Sequence, residues 1–106
     1  MDPVVARVRE VLLNYAKWSL GSIVDIPLAR LVDHVLGGSA YQAQVPGRVR
    51  KMLLDALIRC GIRYGVASRL REDGAWRLRF MNTTKEWRII LGEYVPCIEE
   101  ELRKNT

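Results

Sequence analysis

The side chains best equipped for chemistry in this chain are its arginines. Arg48, Arg50 and Lys51 crowd four consecutive positions, and Arg69, Arg71, Arg77 and Arg79 recur at alternate positions in two short runs. A guanidinium offers a planar fork of donors that matches phosphate oxygens and base edges, and thirteen of the seventeen basic residues are Arg rather than Lys. Such a set can hold a polyanion. Other chemistry is poorly served. His34 is the lone histidine and lies off the apolar stripe of its own segment, as a solvated or capping residue would. With no second histidine and no nearby cysteine, no metal site is expected. The chain has no Gly-rich phosphate loop and no Gly-x-Ser-x-Gly, so neither an enzyme nor a cofactor is expected. Cys60 reads as a small core residue near a helix end, and Cys97 is left open. Two distant cysteines are too few for a disulfide scaffold, which suggests a reducing, cytoplasmic setting. A bridge between two chains through Cys97 is a minor alternative.

The net charge of +5 comes from 17 Lys and Arg against 12 Asp and Glu. Its distribution is more informative than its size. Residues 1–44 balance at zero, residues 45–81 carry +6, and residues 82–106 carry −1. An excess confined to the middle third points to a polyanionic partner, although charge alone does not separate DNA, RNA and membrane surface. The plainer alternative is a soluble basic surface with no partner at all.

These residues need a scaffold, and 106 residues with 49% hydrophobic and 27% charged side chains suit one globular domain spanning 1–106. No apolar run approaches the roughly 18 residues of a membrane span, and Met1-Asp2-Pro3 opens no secretory leader. Asp2-Pro3 is a helix start, followed by a stripe of Val4, Val8, Val11, Tyr15 and Trp18 that Val5 and Leu12 widen, with Gly21 as the stop. Ser22–Ile26 reads as one short edge strand. Pro27 restarts a helix carrying Leu28, Leu31, Val32 and Val35, which Gly37-Gly38 ends. After the polar segment 39–44, Pro46-Gly47 opens a third helix that is apolar nearly all round, expected to be central and capped by Gly61. Its cations gather in the first turn, where the helix dipole favours anions; the opposition costs about 0.3–1 kcal/mol per charge and suits a phosphate ligand.

Two alternating runs follow, joined through Glu72-Asp73-Gly74, a hairpin turn signal. Period two sends Trp76, Leu78 and Phe80 to one face and Arg77 and Arg79 to the other, with Arg69 and Arg71 expected to join them on a single arginine face. Arginines sharing a face repel unless an acid or anion lies between them. Thr83-x-x-Glu86 is a capping box for a last helix with Trp87, Ile90, Leu91 and Tyr94 at helical spacing, which Pro96 should kink or split.

The fold class expected is therefore mainly α with a small β-ribbon, α+β. The order helix, strand, helix, helix, ribbon resembles the winged helix-turn-helix family of DNA-binding domains. The resemblance rests on Ser22–Leu31, on Val49 through Gly61-Ile62 and on the Arg69–Phe80 hairpin, within a core of about residues 4–81, with 83–104 as a C-terminal helical extension. It implies a transcription regulator that binds double-stranded DNA, with the third helix in the major groove and the ribbon as a wing on the backbone or in the minor groove. Gln44, Arg48, Arg50 and Lys51 would then reach base edges, and Arg69, Arg71, Arg77 and Arg79 would grip phosphates. The connection at 39–44 is longer than is usual in the family and could add contacts through Tyr41, Gln42 and Gln44. Trp87, Ile90, Leu91 and Tyr94 are candidates for a homodimer formed by the C-terminal and N-terminal helices; packing back on the first helix of the same chain is the alternative. A protein-interaction module of a larger assembly, or an RNA-binding protein, would use the same elements differently. All of this assumes that the positive charge gathers on one exposed surface.

Overall fold

The computed structural model describes residues 2–19, 21–37, 46–69 and 74–104. Its described elements run α1 (Pro3–Trp18), β1 (Ile23–Pro27), α2 (Leu28–Val35), α3 (Gly47–Arg63), β2 (Ala67–Arg69), β3 (Trp76–Met81), α4 (Thr84–Ile89) and α5 (Val95–Lys104). The molecule is mainly helical, with one small antiparallel sheet of order β1-β3-β2.

Local chemistry sets most of the boundaries. The Asp2 carboxylate accepts from the Val4 N–H at 2.7 Å and Pro3 takes the first helical position, so α1 starts where an orphan donor is satisfied. Pro27 closes edge strand β1 and, with φ −59°, serves as the N-cap of α2. The buried stripe of α1 is centred on Val5, Val8 and Leu12 rather than on the expected line; Val4 and Tyr15 are half-buried, and Trp18 is left 82% exposed. The neighbours of α1 decide this rotation, since a seven-residue apolar arc is wider than the strip that α2 and α5 cover.

At the far end of α3, Gly61 is not the cap. The helix runs on to Arg63, and the positive-φ residue is Gly65 at +70°. The Val66 N–H bonds the Gly61 carbonyl at 2.9 Å and the Gly65 N–H bonds the Ile62 carbonyl at 3.2 Å, a Schellman pattern. Gly61 serves packing instead. A Cβ there would sit 2.3 Å from the Ala67 Cβ, so its lack of a side chain lets α3 lie against β2.

The last helix begins as the capping box requires, with the Thr83 hydroxyl accepting from the Glu86 N–H at 3.3 Å. Its α-helical ladder is interrupted over Ile90–Tyr94 by a wide π-turn, in which the Val95 N–H reaches the Ile90 carbonyl. Pro96 follows this wide turn as the second residue of α5, so the helical ladder is split just before the missing donor. Ile90, Tyr94 and Ile98 are fully buried among α1, α2 and α3 residues such as Leu12, Leu31 and Leu57. The Tyr94 hydroxyl donates to the Leu57 carbonyl at 3.1 Å. Trp87 packs edge-on against Phe80 at 4.9 Å, and its indole N–H donates to Asn82 at 2.6 Å. The extension is thus part of the core, and Ile90 and Tyr94 have no surface left to offer a second copy. Trp87 and Leu91 stay half-buried.

Cys60 and Cys97 are joined in a disulfide that ties α3 to α5, with Cα atoms 6.0 Å apart. This corrects the reading of the two cysteines as unconnected thiols and removes Cys97 as a bridge between chains. It also removes the basis on which a reducing setting was expected. Among the described residues, no helix is long and apolar enough to cross a membrane.

Candidate nucleic-acid interface

The basic start of α3 is built without a counter-charge of its own. Pro46 is the N-cap and offers no side-chain acceptor, and the first turn holds no acid. Arg48 and Lys51 are exposed there and make no ion pair among the described residues. They stand at the positive end of a helix dipole, an arrangement that an anion would relieve. Arg50, in the same turn, lies back across α2 and ion-pairs with Asp33, its side chain 35% exposed. Gln44, like Tyr41 and Gln42, lies outside the described residues.

On the sheet, register decides which arginines share a face. Ser68 is opposite Arg77 and Arg69 is opposite Trp76, while Asp25 is opposite Arg79. Directly paired residues point to the same side, so Arg77 and Arg79 are together on the outer face while Arg69 is on the side of Trp76. The expected single arginine face therefore does not include Arg69. Its Nε instead donates to the Gly74 carbonyl at 2.9 Å, bracing the turn of the hairpin. Arg71 lies outside the described residues.

An acid does sit between the outer arginines. The Arg77 Nε donates to the Asp25 Oδ1 at 2.7 Å, and Arg79 is exposed without an ion pair among the described residues. Pairs of this partly exposed kind are worth about 0.2–1 kcal/mol, so a phosphate could displace either carboxylate. Of the described arginines singled out in sequence, Arg48 and Arg79, like Lys51, make no ion pair among the described residues, Arg50 and Arg77 are held by carboxylates, and Arg69 is held by the Gly74 carbonyl. Asp25 and Asp33 count in sequence only among the four acids that bring residues 1–44 to zero charge, which does not point to them as partners of Arg77 and Arg50. Asp25 alternates outward from Val24 and Ile26, and that signal could have found it.

A separate feature lies between α1 and α2. Tyr15 and His34 stack at 5.8 Å with planes 15° apart, and the Tyr15 hydroxyl meets the His34 Nδ1 at 3.0 Å. Desolvation holds the Tyr15 phenol above its ordinary pKa, with Arg30 partly opposing. The open groove beside this pair has a volume of about 530 Å³. His34, expected as solvated, is exposed but not alone.

Compared with protein-family models, curated proteins and solved structures, the chain matches none.

Proposed function

We propose that this chain is a DNA-binding protein of winged helix-turn-helix type acting as a transcription regulator inside the cell. The observation that carries the reading is the first turn of α3, where Arg48 and Lys51 stand exposed with no acid in the turn. The sheet order β1-β3-β2, with α3 leading directly into the β2–β3 hairpin, supports the winged arrangement. In this reading α3 meets the major groove with its N-terminal residues, while Arg79, and Arg77 once released from Asp25, meet the backbone. A buried disulfide is compatible with an intracellular protein in hyperthermophilic cells, where such bridges persist.

The test is a titration of duplex DNA across a range of salt. With Arg48 and Lys51 on phosphates at the groove edge and Arg77 and Arg79 on the backbone, the slope of log K against log salt is about −3.6, at about −0.9 per contact. No binding at low salt would remove the proposal. Competition by duplex RNA at equal strength would move it from B-form to A-form helices. Selection from random duplexes then decides whether binding reads sequence, as a regulator must.

A second reading, a protein-interaction module, draws on Ile23 and Met81. These are paired across β1 and β3 and are 41% and 48% exposed on the outer face that also bears Arg77 and Arg79.

A further inference from the structure

Trp18 is the least expected surface residue in the molecule. It belongs to the apolar stripe of α1 by spacing, yet it is 82% exposed at the end of that helix, and it rims the groove of about 530 Å³ between α1 and α2. That volume falls within the range of ordinary small-molecule sites. The groove also has the stacked Tyr15–His34 pair, whose two rings are held together by a hydrogen bond and offer an aromatic face. Its polar groups are Arg7, Asn14 and Asp33. Asn14 carries a donor and an acceptor side by side, the complement of a base edge. Arg7 supplies a cation, bonded at present to the exposed Glu10 at 2.8 Å. Asp33 connects the groove to the start of α3, since the carboxylate that lines the groove is the one that pairs with Arg50. Aromatic surfaces beside a basic track are the recurring means of holding unpaired bases, because every base has a π-face.

We infer that this groove is a nucleotide subsite. The base stacks against Trp18 and the Tyr15–His34 surface, Asn14 meets its edge, and Arg7 faces its phosphate. The nucleotide comes from one of two sources, an unpaired position in the nucleic acid held by α3 or a free mononucleotide. The first source rests on the DNA-binding reading above; the second does not.

The experiment compares a blunt duplex, the same duplex with an unpaired adenine overhang, and adenosine monophosphate alone, each followed by affinity and by tryptophan emission. The protein is used as wild type, Trp18→Ala and Trp18→Phe. An exposed side chain can be truncated without unfolding the chain, which a melting curve verifies. If the nucleic acid supplies the base, the overhang binds about fivefold or more tighter than the blunt duplex. Trp18→Ala erases that difference, Trp18→Phe restores part of it, and blunt-duplex affinity is unchanged. If the source is a free nucleotide, adenosine monophosphate quenches emission saturably and Trp18→Ala abolishes the response. The inference is overturned if the overhang gains nothing and adenosine monophosphate leaves emission unchanged. It is overturned equally if Trp18→Ala alters neither response. Should neither duplex bind at low salt, the DNA-binding reading fails, and the mononucleotide arm still decides the groove.

Discussion

The two ends of α3 are finished in opposite ways. At its C-terminal end, Cys60 is bridged to Cys97, Gly61 touches β2, the Gly65 turn closes the last carbonyls, and the Leu57 carbonyl receives the buried Tyr94 hydroxyl. Arg59 reaches Glu101 on α5 at 3.6 Å. At its N-terminal end no side chain among the described residues caps the helix, and Arg48 and Lys51 are exposed at the wrong pole of the dipole. One end is optimised for cohesion. The other places like charge against the dipole and gives up some stability.

Removing the disulfide should break this contrast most severely. The bridge spans 37 positions, and closing a loop of that size constrains the unfolded chain by about 4 kcal/mol in the chain-entropy account. The Cys60→Ala, Cys97→Ala double variant should lose stability on that scale in denaturant unfolding, while duplex affinity measured below the unfolding transition stays within twofold (roughly 0.4 kcal/mol). A parallel loss of affinity would mean that the two ends are coupled.

Tyr94 tests the same end more gently. Tyr94→Phe removes one hydrogen bond and should cost about 1 kcal/mol. It also carries a pH signature. Burial raises the Tyr94 phenol well above its ordinary pKa, so the folded state disfavours the phenolate. The stabilisation is fully present below the unfolded value of about 10 and is lost as pH rises beyond it. The wild type should therefore melt progressively lower above that pH, and Tyr94→Phe should flatten the decline. An equally steep alkaline decline in the variant would assign the effect to other groups, Tyr15 among them.

The smallest effect belongs to the basic end and has the opposite sign. Arg48→Ala and Lys51→Ala should each raise stability by about 0.3–1 kcal/mol by relieving the dipole, and each should reduce the salt slope of duplex binding by about 0.9. A rise in melting temperature with no change in slope would leave the first turn as a mere defect. Loss of stability would show that these cations have partners on the chain.

Much of the architecture was legible because it depends on neighbours in sequence. The Asp2-Pro3 start, the Thr83–Glu86 capping box, the short edge strand before the Leu28 helix and the outward alternation of Arg77 and Arg79 are local matters of hydrogen-bond geometry and period. The arginine set was legible as a composition, but not as a site. The side on which Arg69 falls depends on hairpin register, and one residue of slip would reverse it. That Arg50 and Arg77 are held, while Arg48 and Arg79 make no ion pair among the described residues, depends on carboxylates 17 and 52 positions away.

By itself, then, the order of residues determined where helices begin, which positions alternate and how charge is apportioned along the chain, since each follows from contacts within a few residues. Only the tertiary structure decided that Cys60 meets Cys97, that Ile90 and Tyr94 are enclosed, that Trp18 is left outside and that Asp25 and Asp33 each hold an arginine. Those outcomes depend on the packing of distant segments, because a side chain's charge and apolar area have consequences only once its neighbour in space is known.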